Sequence, residues 1–308
     1  MKKNISILSF ALVLSLIFSS CEKTISPELQ NAPPLLVVEA WLNDKPGAQV
    51  VQLSKTQSYF DATIPPAVSG ATVTITDDLG AVYNFLDNGT NSGLYQWTPA
   101  IGQKFGEVGR KYKLTVQVGG ETFEANSVMR RTTKIDSISF STKNPQQFPD
   151  GSYIGEFWAD DLVGPGDLYW IRTYKNGVLL GKPSEISIAY DAGFSAGGNF
   201  DGVTLIPPIR RSMNPFDTDP QDKNRLLKPY VPGDSAYVEI HSITLEAFNH
   251  LQQVSVQTQR NGGFGELFAQ PLANVTSNVY NTNSGGSKVV GFFCTSAVKG
   301  MGKKVVGK

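Results

Sequence analysis

The stretch ATVTITDDLG, residues 71–80, sets Val73 and Ile75 against Thr72, Thr74 and Thr76 and stops at Asp77-Asp78-Leu79-Gly80. A period of two puts successive side chains on opposite faces, which suits a half-buried strand and not a helix. The same alternation recurs in AQVVQLSKTQ, where Val51 and Leu53 face Gln52 and Ser54, and in KYKLTVQVGGETFEANSV, which reads as a hairpin turning at Gly119-Gly120. PLLVVEAWLND, AVYNFLDNG and GLYQWTP supply further strands between turn signals. Short alternating strands with frequent turns predict a sandwich. Residues 35–131 are therefore expected to form an Ig-like β-sandwich, with Val51, Leu53, Val73, Ile75, Tyr112, Leu114 and Val116 facing inward.

The expected fold class is mainly β throughout: the N-terminal sandwich is followed by a larger β-rich domain, residues 132–298, carrying one packed α-helix. TTKIDSISFST, YIGEFWAD, GDLYWIRTYKNGVLL and AYVEIHSITL read as its strands, and SKVVGFFCTSAV as a closing strand. The helix lies near 244–260, with Thr244 as N-cap, Glu246 in its first turn and Ala247, Leu251 and Val254 at helical spacing. Residues 191–229, rich in Gly, Asp, Pro and Asn, form a long loop region of the kind that is usually functional or disordered. Residues 299–308 read as a loose basic tail.

The N-terminus carries a different signal. Lys2 and Lys3 precede a largely apolar run from Ile5 to Phe18. That run is shorter than the roughly 20 residues of a spanning helix, but fits the core of an export signal. Residues 1–20 are expected to be a signal peptide and 21–34 a polar, proline-bearing tether. Phe18-Ser19-Ser20-Cys21 resembles a bacterial lipobox, with Phe18 where Leu is usual, which makes Cys21 the expected lipidation site. An ordinary secretory signal, with Cys21 a free thiol or paired with Cys294, is the alternative. A lipidated chain would be anchored to a membrane without spanning it.

Removing residues 1–20 takes away two of the 27 Lys and Arg residues and none of the 27 acids, leaving a formal charge of −2. No basic face points to nucleic acid. Two cysteines give neither a disulfide framework nor a cysteine zinc site. The two histidines, His241 and His250, have no nucleophile motif beside them and are expected to be packing residues. Asp217, Asp219 and Asp222, with Asn214, are the weak candidates for a calcium site, but their loop lacks the glycine and terminal Glu of an EF-hand. Asp160-Asp161 is no better placed for paired-carboxylate chemistry. Of the four tryptophans, Trp41, Trp158 and Trp170 sit among aliphatic neighbours and read as core, while Trp97 at a strand end is a contact candidate. Arg210 and Arg211, with Phe216, lie among apolar and proline residues on the long loop, a mixture suited to a partner or ligand. Ser137 and Ser235, each in an Asp-Ser-aliphatic word, are candidates for bacterial O-glycosylation. The expectation is a protein that is not an enzyme and needs no cofactor.

These landmarks, taken in order, are similar to a known family. LVVEAWLND, VVQLSKTQSY, PAVSGATVTITDDLG, GLYQW, VGRKYKLTVQVGGETFEANS and KIDSISF follow a lipoprotein signal, and PLANVTSNVYNTNSGGSKVVGFFCTSA closes the chain. The order resembles the Bacteroidota lipoprotein family called domain of unknown function 4249. The resemblance implies an outer-membrane lipoprotein, encoded beside TonB-dependent receptors and acting as a binding or accessory subunit to such a transporter. It leaves open whether the protein faces the cell surface or the periplasm. A hydrolase of extracellular polymer, or a purely structural or adhesive surface module, is the alternative.

Overall fold

The computed structural model describes residues 33–58, 61–142, 151–219, 221–222, 226–259 and 274–307. The fold is mainly β. Its first seven strands are β1 (Leu36–Asn43), β2 (Gln49–Lys55), β3 (Thr72–Asp77), β4 (Val82–Asp87), β5 (Leu94–Trp97), β6 (Lys111–Val118) and β7 (Glu121–Val128). The alternation in sequence becomes alternation in burial. Val51, Leu53, Val73, Ile75, Tyr112, Leu114 and Val116 all enter one core, each 2% exposed or less. The turn residues act as their chemistry suggests: Asp77 Oδ1 accepts the backbone N–H groups of Leu79 and Ala81. Gly119 and Gly120, both at positive φ, join β6 to β7.

Four strands follow: β8 (Ser137–Ser141), β9 (Ile154–Trp158), β10 (Leu168–Lys175) and β11 (Val178–Leu179). Then come β12 (Ser187–Tyr190), the short helix α1 (Pro207–Arg210), β13 (Ser235–Ser242) and α2 (Leu245–Thr258). The last strands are β14 (Tyr280–Asn281), β15 (Val289–Ser296) and β16 (Val298–Lys304). Helix α2 has the expected cap, with Thr244 Oγ1 accepting the Ala247 N–H at 3.2 Å. Residue 260, the expected end of the helix, lies outside the described residues.

Strand order in the first sheet is β14-β7-β6-β3-β4-β5-β2-β1-β15. Its two edge strands therefore come from residues 280–296, far beyond the segment in which the sandwich pattern was legible. β15 runs parallel to β1 in the register Leu36↔Val289 through Asn43↔Ser296. β4 turns the corner between layers, pairing with β3 through Val82–Phe85 and with β5 through Leu86 and Asp87. The opposite side is nearly closed by side chains. The Thr295 N–H donates to Ser127 Oγ at 2.9 Å. Asn278 accepts from the Phe293 N–H at 2.9 Å and donates to the Phe293 and Asn126 carbonyls. Such near-closure leaves little bare edge, the usual liability of a sheet.

The second sheet is ordered β11-β10-β13-β16, with β12 also against β10, and β8 and β9 form a separate pair. The basic segment expected to be a loose tail is instead β16, antiparallel to β13 from Ser235↔Lys304 to His241↔Val298. Glycine and lysine are poor strand formers, so local preference hid this strand. It forms because β13 needs a partner on that edge. The long loop region is likewise built into the fold. Its residues Ala192, Leu205, Ile209 and Met213 fill the core beneath the second sheet, together with Tyr230 just after it.

A third cluster joins the two sheets through α2. Ala247, Phe248 and Leu251 meet Phe292 and Cys294 of β15, Leu168 of β10 and Ile243, with Trp41 and Trp170 against them. Cys294 is fully buried there, and burial pushes its thiol up to about 11, so it is an inert packing residue.

Candidate interaction surface

The segment from the Pro183–Glu185 turn to Asp217 lines a groove of about 310 Å³. Its apolar wall is Ile186, Ile188, Phe194, Pro208 and Phe216. Phe194 and Phe216 are 51% and 53% exposed. Two large aromatic side chains half in water on one groove suit a partner surface, where aromatics are enriched. A second cavity of about 550 Å³ is lined by Val178, Leu179, Leu180, Pro215, Lys175 and Lys228. Both are lined by Glu185 and Asp217, so they adjoin where Lys182 pairs with Asp217.

The residues singled out in sequence fall around this surface unevenly. Phe216 is on it. Arg210 lies behind it: its guanidinium sits 4.0 Å from the Trp158 ring, donates to Glu156 Oε1 at 3.0 and 2.9 Å, and donates to the Leu205 carbonyl. Arg211 is exposed, with its Nε 3.7 Å from the same carboxylate. Asp217 is tied to Lys182, and Asp219 caps the Gln221 N–H at 2.9 Å. Asp222 is exposed. Among the described residues no group of three or more His, Cys, Asp or Glu is placed to hold a metal ion. Trp97 is the last residue of β5, an interior strand of the first sheet, half-buried and edge-on to Tyr83 at 5.2 Å and Phe105 at 6.1 Å. Ser137 is exposed at the start of β8, whereas Ser235 is half-buried at the start of β13, where its N–H donates to Asn176 Oδ1. Cys21 lies outside the described residues.

Phe194 was missed by sequence reasoning, although an aromatic isolated in the small-residue run DAGFSAGG is a visible signal. Nothing local marked Ile186, which follows the Pro183–Glu185 turn, or Ile188, which the groove recruits from β12.

Elsewhere the structure gathers residues that are far apart in sequence. Trp41 and Trp170 meet edge-on at 5.1 Å; His250 is 6.0 Å from Trp41, and His241 is 6.0 Å from Trp170. His250 Nδ1–H donates to the Thr276 carbonyl at 2.6 Å, and His241 Nε2 lies 2.9 Å from Glu239 Oε2. Glu239, 1% exposed, also pairs with Lys45. Burial alone would raise its carboxyl, but hydrogen bonds from His241 and Lys45 overcome that and hold it at about 2. Both histidine rings are pushed below the usual imidazole range, chiefly by burial, against hydrogen bonds that act to raise them. Asp161 is raised by burial and sits under the Tyr169 hydroxyl at 2.7 Å, with Gly202 N–H as its second donor. It is a satisfied structural acid.

These directions predict acid lability. A histidine whose folded pKa lies below 6.5 lets the unfolded chain take up protons first. Its stabilisation is complete above that value and declines as pH falls from about 7 to 5. Glu239, depressed from 4.5 to about 2, contributes stability that is present above about 4.5 and is lost as pH falls through about 2. Thermal midpoints measured along a pH series should be level above 7, decline below 6.5 and fall further below 4.5. A midpoint level from pH 7.5 to 5 would contradict the buried, uncharged state of both rings.

A family model described as "Domain of unknown function (DUF4249)" matches residues 22–300. No curated protein matches the chain.

Proposed function

We propose, from the premise that this chain belongs to the family described as domain of unknown function DUF4249, that it is a lipid-anchored outer-membrane protein. On this reading it works as a binding or accessory subunit beside a TonB-dependent transporter. The family description names no chemistry, so function is argued from the site. The observation that carries the proposal is the groove with Phe194 and Phe216 half in water. That surface suits contact with another protein. The lipobox-like Phe18-Ser19-Ser20-Cys21 supports the anchor. No helix among the described residues is long and apolar enough to cross a membrane.

Two variants test the parts separately. Cys21→Ser should release the protein from the membrane fraction while leaving the groove intact. Phe194→Glu with Phe216→Glu should leave it anchored but reduce co-purification of a β-barrel partner in mild detergent about tenfold or more, since buried aromatics dominate contact energies. Recovery of the wild-type protein as a lone monomer, without any barrel, would overturn the accessory-subunit reading.

A further inference from the structure

We infer that the face of the second sheet around Arg172 is a binding site for a carboxylate-bearing sugar, a uronate unit of an acidic glycan. Arg172 stands on β10 directly across from Glu239 of β13, yet the two do not pair. Glu239 is already engaged by Lys45, His241 and the Tyr174 hydroxyl. Among the described residues, the Arg172 guanidinium makes no hydrogen bond or ion pair, and its buried Nε has no acceptor. Nε is closed to any ligand, but Nη1 and Nη2, also without a partner among the described residues, are left for something outside the chain to answer.

The surroundings say what that something is. The guanidinium lies 4.8 Å over the Trp170 ring and 6.0 Å from that of Tyr174. One face is therefore stacked, and the two Nη donors remain for a planar, two-oxygen acceptor approaching end-on. A guanidinium fork matches a carboxylate in two parallel bonds. Next along the same face, Tyr237 is 41% exposed and its ring is 6.1 Å from that of Tyr174. Tyr237 lies over the neighbouring strand β16, and it can do so because that strand is glycine there. A Cβ on Gly300 would come within 2.4 Å of the Tyr237 hydroxyl, and one on Gly302 within 3.1 Å of its ring. Arg172 also sits at a notch, since β12 pairs with β10 only up to Ile171 and β11 only from Tyr174, with the Leu180 N–H reaching the Thr173 carbonyl. An acid group held at the notch, with a flat apolar C–H face over adjacent tyrosines, describes a uronic acid ring. Half-exposed Lys45 supplies a further donor for hydroxyls at the rim.

This inference deepens the binding-subunit reading and rests on it for ligand capture being the protein's task. Its test does not depend on anchoring or on a partner, so the two can fail separately. The full chain in detergent is titrated with tri-galacturonate, with the neutral trisaccharide maltotriose and with a Glu-rich peptide. Tri-galacturonate should bind, and maltotriose should bind at least about tenfold more weakly, because the charge-assisted bonds are lost. Arg172→Met should raise Kd about tenfold or more and Arg172→Lys by less, since a point charge cannot form the fork. Tyr237→Ala, a surface change that leaves the sheet core untouched, should also weaken binding and guards against a folding artefact in the Arg172 variants. Equal binding of the neutral sugar, tighter binding of the peptide, unchanged affinity in Arg172→Met, or no binding of tri-galacturonate would each overturn the assignment.

Discussion

Gly291→Ala is expected to lower the thermal midpoint by about 6–12 °C, corresponding to roughly 3 kcal/mol. Gly291 lies on β15 opposite Val38 and has φ +115°, in the region that disfavours side chains. An added Cβ would stand 2.0 Å from the Val38 carbonyl oxygen and 2.6 Å from its nitrogen. Both atoms are backbone, so nothing can swing aside. The strands must separate, and with them the parallel ladder along the whole of β1. Loss of that ladder also opens the aromatic face where Trp41 stacks on Phe292 at 5.4 Å. Gly285→Ala is the control. Its added Cβ meets nothing nearer than 3.8 Å, and it should shift stability by no more than about 0.5 kcal/mol. Melts followed by circular dichroism compare the two directly; a Gly291→Ala midpoint equal to the control would show that β1 and β15 are not held as described.

Glu239→Ala is expected to cost about 1–3 kcal/mol, the range for stranding a buried hydrogen-bond partner, here His241, because Lys45 is 39% exposed and can be solvated. Glu239 is the only described carboxylate that answers Lys45, and it accepts from buried His241 as well. Without it, the Lys45 cation, the Arg172 cation and the His241 ring face one another with no compensating charge. Lys45→Ala should cost less, because Lys45 is 39% exposed and Glu239 keeps the His241 and Tyr174 hydrogen bonds. The difference between the summed single losses and the double variant isolates the pair. Denaturant midpoints with unchanged slope would report stability alone. If Glu239→Ala proved as mild as a surface substitution, the carboxylate would be solvated, and the acid lability predicted above would lose its lower branch.

Much of the strand structure was readable because it is local. Val73 and Ile75 are separated by one residue, and the preference of Thr and Val for a pleated surface acts within that distance. Helix α2 was readable for the same reason, since Thr244, Glu246 and the Ala247–Leu251 face lie within two turns. The interaction groove was half readable. Phe216 stood out among prolines, but Ile186 ends an ordinary turn and Ile188 comes from a strand that looks like any other. Arg172 carried no signal, because an arginine on a strand is ordinary until its cross-strand Glu239 is seen to be occupied by Lys45, 194 residues away.

The sequence by itself determined the mainly β class, the turn positions and the capped helix, because each follows from side chains a few residues apart. Only the tertiary structure decided which strands are neighbours. β15 was drawn to β1, and the glycine- and lysine-rich end of the chain became β16 against β13. It also decided that both histidines and two tryptophans share one cluster, and that an arginine is left without a partner among the described residues. The physical reason is the same in each case: strand pairing and charge pairing are satisfied by whatever group arrives across the fold, and no local pattern encodes its arrival.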